Sequence, residues 1–288
     1  MAGGVSPAKR TDGPRVLFVE TAKDLLLAAF IFVPLERLLA LRREQRIFRA
    51  LWRLDLIHVF ATGLFYRFGA VLLAILVGAP LRDFVPAAVH EAIAAQPLWI
   101  AVIEVIVIAD LGFYFVHRAF HEIPWLWRFH AVHHSIEELD FLAAHRVHPL
   151  DQILTRAMTL LPVTALGFDS DALVVFAILY HWHSILLHAN VRLPFGPLRW
   201  LIASPCFHHW HHADEVAARD RNYAGQLAIL DVLFGTVHLP FGTMPRAYGT
   251  DTPVPRSYLG QLAFPFRHRA KAPETSAMGG AAAGDIGD

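Results

Sequence analysis

Two histidine motifs follow each other in the stretch YFVHRAFHEIPWLWRFHAVHHS, residues 114–135. In HRAFH, residues 117–121, the two histidines are four residues apart, so on a helix with about 3.6 residues per turn they point the same way. In HAVHH, residues 130–134, three histidines share the i, i+3, i+4 face of a helix. Each motif therefore presents several imidazoles to one point.

A third motif repeats this pattern in a chain that is unusually rich in histidine. HHWHH, residues 208–212, again offers the i, i+3, i+4 spacing, and 14 of the 18 histidines lie between positions 117 and 212. Neutral imidazole is the commonest protein ligand for borderline metals such as iron, zinc and copper. A zinc enzyme with one metal needs about three protein ligands, whereas the motifs offer at least eight histidines. This surplus predicts a site for two metal ions.

Composition favours a membrane protein over a soluble one. Of the 288 residues, 55% are hydrophobic and 17% are charged, with a mean hydropathy of +0.42, against about 25% charged residues in soluble domains. The 25 basic and 25 acidic side chains balance, which removes the simplest argument for nucleic-acid binding. Cys206 is the only cysteine, so an internal disulfide, a cysteine-based zinc cluster and an iron–sulfur cluster are excluded.

Several apolar stretches are candidates for membrane spans. The stretches 54–79 and 97–116 are long enough to cross a bilayer, whereas 25–41 contains a proline and two charged residues and either spans or lies in the interface. The segments 153–168 and 171–187 flank a turn-forming sequence and predict a helical hairpin. We therefore expect an all-α fold, a multi-span membrane helical bundle with a cytosolic, histidine-lined di-metal helical cap.

The distribution of basic residues predicts the orientation of this bundle. The loop 42–53 carries five arginines and one glutamate, and short loops rich in basic residues stay in the cytoplasm. If the chain crosses the membrane at each predicted span after this loop, every histidine motif lies on the cytoplasmic side. Arginine outnumbers lysine 22 to 3, which suggests a bacterial source with a GC-rich genome. We expect a multi-pass protein of a bacterial inner membrane, with its active site on the cytoplasmic side.

The chain divides into one domain and two short ends. We predict an N-terminal arm over residues 1–24, a single membrane-embedded domain over 25–269 and a disordered tail over 270–288, which is rich in alanine and glycine. The histidine motifs and the segments between them define a motif core over 98–240.

The order of the motifs carries a family resemblance. HRAFH, HAVHHS, RVHP, HANVRLP, PCFHHWHH and RNYAGQLAILDVLFGT follow one another between residues 98 and 240. Together they resemble the fatty acid hydroxylase and sterol desaturase superfamily of integral-membrane di-iron oxygenases. The resemblance implies a centre of two Fe ions that uses O2 and external electrons to hydroxylate, or to desaturate, a lipid, fatty acyl or sterol-like substrate.

The resemblance also implies metal-ligand roles for nine histidines. They are His117, His121, His130, His133, His134, His188, His208, His211 and His212. The family often has a tenth ligand four residues before the position of His188, where this chain has Ser184. His183 lies five residues before His188, so it can point to the same metal only if the helix has a π-bulge or ends there. His181 lies seven residues before His188 and therefore on the same face of a regular helix. We predict His183 as the tenth ligand, with His181 as the alternative.

Several polar residues match the family's recurrent polar positions. They are His148, Asn190, Asn222 and Asp231, which we predict to form the polar part of the catalytic site because ligating imidazoles donate their second N–H to such groups. An alternative for Asn222 and Asp231 is the capping of loops. Asp110 lies in the span 97–116, seven residues before His117, where an ionisable group suggests function. Glu104 is instead expected to pair with Arg67.

Oxygen activation requires electrons from outside the chain. The sequence has no glycine-rich dinucleotide fingerprint and no thiolate cluster. The resemblance implies a b-type cytochrome, or a ferredoxin with its reductase, as the donor. Four arginines are candidates for docking it, although solvated surface charge is the alternative. They are Arg219, Arg221, Arg267 and Arg269.

Two other functions compete with the oxygenase. A divalent-cation transporter without redox chemistry would place its ligands at the bilayer midplane, within broken helices, whereas these motifs follow the predicted spans. A zinc-dependent membrane hydrolase would carry HExxH. Glu122 follows His121, but Trp125 stands where the second histidine is required.

Overall fold

The computed structural model describes residues 14–267, and all of their regular elements are helices. This confirms the all-α prediction. Within this range, strand-like pairing is limited to two isolated bridges, Ala40 with Val191 and Ala213 with Tyr248. The α-helices are α1 (Pro14–Leu38), α2 (Trp52–Leu73), α3 (Ala79–Arg82), α4 (Ala87–Ala94), α5 (Leu98–Glu122), α6 (Pro124–His134), α7 (Pro149–Leu166), α8 (Ser170–His188), α9 (Pro205–His211), α10 (Ile229–Leu233) and α11 (Tyr258–Arg267).

Helices α5, α7 and α8 form the centre of the bundle. Helix α5 packs along α7 and α8, and α2 packs on the other side of α7. Val105 of α5, Val163 of α7 and Phe176 of α8 are buried in one apolar cluster between these helices. Helix α1 is joined to the bundle by Phe32, which packs in a second cluster with Ile185. These contacts form the apolar core of the bundle.

Two helices of the described part of the chain are long and apolar enough to cross a membrane, α5 and α8. Their most apolar windows have mean hydropathies of 2.1 and 1.4, and only 33% and 22% of those windows are buried inside the protein. Exposed apolar side chains such as Trp99, Ile103 and Val174 cover their outer faces. The predicted span 97–116 is thus found in α5, which continues through HRAFH.

The other predicted stretches are helical too. Residues 54–79 lie in α2 and in the π-helical turn Ala74–Gly78 that joins it to α3, although several side chains of this segment are not described. Two helices, α7 and α8, flank the predicted turn, but both pack on α5. Helix α7 ends at Gly167, whose φ of 85° is left-handed, and the Asp169 side chain accepts a hydrogen bond from the Asp171 N–H at 2.9 Å as the N-cap of α8.

The N-terminal boundary differs from the expectation in one respect. Residues 14–24 of the expected arm are helical, because they belong to α1. Residues 1–13 and the tail 270–288 lie outside the described residues, as does the side chain of Arg67. The carboxylate of Glu104, which we expected to pair with that arginine, accepts a hydrogen bond from Gln96 Nε2 at 3.1 Å.

A buried charge network ties α2 to the segment that precedes α7. The Asp55 carboxylate binds Arg49 at 2.6 Å on one oxygen and Arg146 on the other, and Arg49 also binds Asp140 at 2.7 Å. All four side chains are buried. Charge-assisted pairs of this kind hold their partners in one geometry, so the network fixes the backbone around Arg146.

The close contact between α5 and α7 generates a prediction. A Cβ added to Gly112 would lie 2.1 Å from the Met158 carbonyl oxygen, so Gly112→Ala forces the two helices apart. We expect a loss of about 1–3 kcal/mol in the free energy of unfolding, seen as a lower thermal midpoint in detergent. The control is Gly63→Ala in α2, where the added Cβ has no neighbour within 4 Å. Equal midpoints for both variants would contradict this packing.

Candidate metal centre

Five histidines from three helices converge at one end of the bundle, and we call them cluster A. Helix α5 contributes two of them, α6 contributes two and α9 contributes one. Their ligand nitrogens lie within 4.8 Å of one another. The members of cluster A are His117, His121, His130, His134 and His211.

Four further histidines form a second group beside it, which we call cluster B. They are His133, His188, His208 and His212, whose ligand nitrogens also lie within 4.8 Å of one another and whose side chains are all buried. The two clusters are neighbours because α6 and α9 each contribute to both, and consecutive residues of a helix point about 100° apart. The rings of His134 in cluster A and His212 in cluster B stack at 4.6 Å.

Hydrogen bonds fix the protons of two rings in cluster B. The Nδ1–H of His133 donates to the Arg146 carbonyl at 3.1 Å, and the Nδ1–H of His188 donates to the Ser184 carbonyl at 2.7 Å. A carbonyl only accepts, so in the neutral rings both Nε2 atoms carry a lone pair and no hydrogen. These two Nε2 atoms are 3.1 Å apart. Two lone pairs at that distance repel each other unless a cation lies between them.

Cluster A has the same design. The Nδ1–H of His117 donates to the Tyr223 carbonyl at 2.6 Å, and that of His211 donates to the Arg221 carbonyl at 2.8 Å. Their Nε2 lone pairs therefore point inward, where His117 Nε2 lies 3.0 Å from His130 Nε2. His121 Nε2 is buried and has no hydrogen-bond partner among the described residues. The donor set fits a cation that takes neutral imidazole nitrogens.

Burial keeps these imidazoles uncharged. Burial lowers the pKa of five imidazole rings well below its usual range, and repulsion from neighbouring histidines is the second cause. The five residues are His130, His133, His134, His208 and His212. Burial also lowers the pKa of His211 to about 4. Neutral rings offer lone pairs, so at physiological pH the clusters favour a metal ion over a proton between their nitrogens.

Two buried carboxylates hold the segment that orients cluster A. The Asp110 carboxylate accepts hydrogen bonds from the backbone N–H groups of residues 225–227 at 2.7–3.0 Å. The Asp231 carboxylate accepts from the N–H groups of Tyr223 and Ala224, both at 2.8 Å. This fixes the Tyr223 carbonyl that His117 binds. Asp110 and Asp231 thus act on cluster A through the backbone and do not touch its interior.

Asn222 supports the same segment from the other side. It has a left-handed φ of 59°, which asparagine tolerates better than most residues. Its side chain donates to the carbonyls of Phe207 and His238 and accepts from the His238 N–H. Asn222 therefore joins α9 to this loop, which agrees with the loop-holding alternative for Asn222 and Asp231.

Asp151, in the first turn of α7, was not among the predicted site residues. Its carboxylate accepts a hydrogen bond from His130 Nδ1 at 2.7 Å, and both side chains are buried. This carboxylate fixes the His130 ring, a common arrangement around metal ligands. The only feature of the sequence that points to Asp151 is its position as an acidic residue at the start of an apolar helix, three residues after His148.

Like Asn222 and Asp231, three further predicted residues lie outside both clusters. His183 Nε2 donates to the Ala203 carbonyl at 2.8 Å, because a residue five positions before His188 points to a different side of a regular helix. His148 is the N-cap of α7, accepting from the Leu150 N–H at 3.1 Å. The Asn190 side chain exchanges hydrogen bonds with the backbone of Arg42 and joins the end of α8 to the segment after α1.

The arginines considered for donor docking are partly engaged in the structure. Arg219 pairs with Asp214 at 3.1 Å and with Asp251 at 2.8 Å, and Arg221 donates to the Gly235 carbonyl. Arg267 ends α11, and Arg269 lies beyond the described residues.

A cavity of about 350 Å³ leads to cluster A from the side of residues 249–252. Its wall includes His121, His134 and His211 together with Asp220, whose side chain is 62% exposed and lies 3.3 Å from His121 Nδ1. Cluster A therefore borders a cavity whose wall includes polar side chains.

Comparison with known proteins finds a family similarity over the part of the chain that carries the histidine motifs. Residues 102–236 match the model of the fatty acid hydroxylase family, so the resemblance drawn from the motifs is confirmed. The chain is 35% identical over 179 residues to the ornithine lipid hydroxylase of Rhizobium tropici, covering 61% of this chain and 53% of that protein. It is 35% identical over 130 residues to human alkylglycerol monooxygenase, covering 44% of this chain and 28% of that protein.

A more distant relative is a putative methylsterol monooxygenase of Dictyostelium discoideum, 28% identical over 45% of this chain and 47% of that protein. The chain thus spans about half the length of the ornithine lipid hydroxylase and less of the human enzyme. No solved structure matches the chain.

The buried neutral histidines predict acid sensitivity of the metal-free protein. Burial lowers the pKa of His209 and of His211 to about 4, from 6.5. Between these pH values the unfolded chain binds more protons than the folded one, so the free energy of unfolding falls as pH falls, by about 3 kcal/mol per group at most. Thermal midpoints of chelator-treated protein in detergent should decrease from pH 6.5 to 4.5.

The matched variant for this prediction is His209→Gln, since glutamine also offers one donor and one acceptor to the Ala189 carbonyl and the Tyr248 hydroxyl that His209 contacts. Its midpoint should depend less steeply on pH. A midpoint independent of pH in the parent protein would contradict the neutral, buried state of these rings.

The contact between Asp151 and His130 predicts an effect on one cluster only. Asp151→Asn weakens the hydrogen bond that orients His130, and we expect metal affinity at cluster A to fall about 10–100-fold. Competition with a coloured chelator measures it, and Asp171→Asn, at the exposed start of α8, is the control. Unchanged affinity in Asp151→Asn, or an equal loss at cluster B, would refute the assignment.

Proposed function

We propose that this chain, which carries a fatty acid hydroxylase domain over residues 102–236, is a membrane oxygenase that hydroxylates a lipid with O2 and two external electrons. The observation that carries the proposal is the pair of inward-facing Nε2 lone pairs of His133 and His188, 3.1 Å apart. This pair lies beside a second cluster of the same kind. Two adjacent cation sites built from imidazole alone suit a di-iron centre.

The two clusters would hold the two Fe ions. Cluster A would bind one ion with five histidines, and cluster B would bind the other with four. His183, the expected tenth ligand, is not a member of either cluster. A pair of irons bound there would supply the reduction of O2, with one oxygen atom entering a substrate C–H bond and the other leaving as water after uptake of two electrons and two protons.

The protein's own groups orient and shield this chemistry. Carbonyls of Arg146, Ser184, Arg221 and Tyr223 fix the ring tautomers, so each inward nitrogen is ready to bind without rearrangement. Buried aromatic rings exclude water around the clusters. They include Phe120 and Phe207. Protons and O2 would enter through the polar cavity beside His121.

The proposed setting is a multi-pass arrangement in a bacterial inner membrane. Helices α5 and α8 both end at the histidine clusters, so if they span the bilayer in parallel the clusters form a cap at one face of it. The basic loop 42–53 favours the cytoplasmic face. Residues 25–269 would then act as one domain, and a b-type cytochrome or a ferredoxin with its reductase would deliver electrons from the cytoplasm.

The substrate class follows from the relatives and from the fold. The names of the relatives specify an ornithine lipid, an alkylglycerol and a methylsterol, all of them amphiphilic or apolar molecules. Their names also specify hydroxylation and monooxygenation, which favours hydroxylation over desaturation here. The clusters lie at helix ends and not within broken helices, which argues against a transporter.

Metal analysis together with lipid profiling tests this proposal. Protein purified in detergent and loaded with ferrous iron should hold about two irons per chain, and cells that express it under oxygen should gain a lipid heavier by one oxygen atom. His133→Ala should lose the metal of cluster B and the product. The control His90→Gln changes a histidine of α4 that contacts the Leu166 carbonyl, outside both clusters. One tightly held zinc and no oxygen-dependent lipid would favour a hydrolase instead.

A further inference from the structure

An apolar groove with a polar inner end lies between α1, α5 and α8. We infer that this groove holds the hydrocarbon chain of the lipid substrate, and that the Gln226 side chain at its inner end binds an N–H or O–H group of that lipid. The inference rests on the proposed function and names the substrate class of the same site. It is carried by the course of the groove, by the backbone that borders it and by two unpaired acceptors.

The groove runs from an exposed apolar mouth to a buried inner end. At the mouth, the side chains of Ile31, Ile178 and Leu179 are 42%, 54% and 46% exposed. The inner end includes Phe32 and Gln226, which are buried. Because α5 and α8 are long and apolar enough to cross a membrane, a groove between them can take up a hydrocarbon chain directly from the surrounding lipid.

The groove follows α8 toward cluster B. Ile178 and Leu186 both line it, and their separation in the sequence corresponds to about 12 Å along the helix. His188, a member of cluster B, follows Leu186 after one residue. The volume of about 570 Å³ equals that of about nineteen water molecules at about 30 Å³ each. A space of this length and volume suits one hydrocarbon chain.

The inner end of the groove also borders the backbone that orients cluster A. Gln226 and Leu227 line the groove, and their backbone N–H groups donate to the Asp110 carboxylate at 2.9 and 2.7 Å. The same segment contains Tyr223, whose carbonyl accepts a hydrogen bond from His117 Nδ1 at 2.6 Å. A lipid bound at this end is therefore held next to the segments that carry and orient the metal ligands.

The Gln226 side chain is the first of two unpaired acceptors at the inner end. Gln226 is 6% exposed, and its Oε1 is buried and has no hydrogen-bond partner among the described residues. A buried acceptor without a donor destabilises the folded chain, and most such atoms in proteins are paired. An N–H or O–H group of a bound lipid would supply the missing donor.

The second unpaired acceptor belongs to His183, which also lines the groove. Its Nε2–H donates to the Ala203 carbonyl at 2.8 Å, so in the neutral ring Nδ1 carries a lone pair. Across residues 14–267, no side chain or backbone group donates to this Nδ1. The Ala203 N–H donates to the Gln226 carbonyl at 2.8 Å, so Ala203 holds the two residues side by side. The groove thus favours lipids that carry a hydrogen-bond donor near the chain.

Binding of two probes that differ in one hydrogen-bond donor tests the inference without relying on turnover. The probes are N-methylhexadecanamide and methyl hexadecanoate, which share a chain and a carbonyl, but only the amide has an N–H. Each is added to the purified full chain in detergent, and the bound fraction is measured by native mass spectrometry. The parent chain should bind the amide about tenfold more tightly, the effect of one hydrogen bond. Equal binding of the two probes would overturn the inference.

Two variants test the polar end and the apolar mouth separately. Gln226→Leu should weaken amide binding about tenfold and leave ester binding unchanged, so the preference for the amide is lost. Leu179→Trp should weaken the binding of both probes at least tenfold, because the larger ring occupies the mouth of the groove. If Gln226→Leu does not fold, the comparison of the two probes on the parent chain still decides the role of the polar end.

Matched controls separate a specific effect from a general one. Gln96→Leu, just before α5, and Val174→Trp, at an exposed position of α8, make the same substitutions or a similar one outside the groove and should bind both probes like the parent chain. Parent-like amide binding by Gln226→Leu, or parent-like binding of both probes by Leu179→Trp, would overturn the inference. Preferential amide binding with no oxygenated product from iron-loaded protein would instead overturn the proposed function.

Discussion

The structure depends on pairs of imidazole nitrogens that face each other without a hydrogen between them. His133 and His188 each donate their only N–H to a backbone carbonyl, and their lone pairs meet at 3.1 Å in a buried site. Without a cation this contact is repulsive, and with one it becomes a pair of coordinate bonds. The free energy of metal binding is therefore coupled to the stability of the folded chain.

The rest of the fold maintains this arrangement from a distance. The ion network of Asp55, Arg49 and Arg146 fixes the carbonyl that His133 binds. Asp110 and Asp231 fix the segment whose Tyr223 carbonyl orients His117. Asp55 and Asp231 are far in sequence from the histidines they support, whereas Asp110 lies seven residues before His117. Each of the three carboxylates acts by holding backbone in place.

The sequence predicts much of this site because helical spacing determines where close neighbours point. The nine histidines assigned from the family resemblance meet in the two clusters, and α7, α8 and the helix that ends in HRAFH were predicted from their apolar patterns. His183 was misplaced because a one-residue offset on a helix changes its direction by about 100°, and the chain keeps α8 regular there. Asp151 was missed because its partner His130 comes from another helix, and no local sequence pattern records such a contact.

The most direct test of the account is a crystal structure of the iron-loaded protein with anomalous diffraction measured at the iron edge. The account predicts two anomalous peaks, one among the nitrogens of cluster A and one between His133 and His188 in cluster B. A single peak, or iron bound away from these nitrogens, would contradict it.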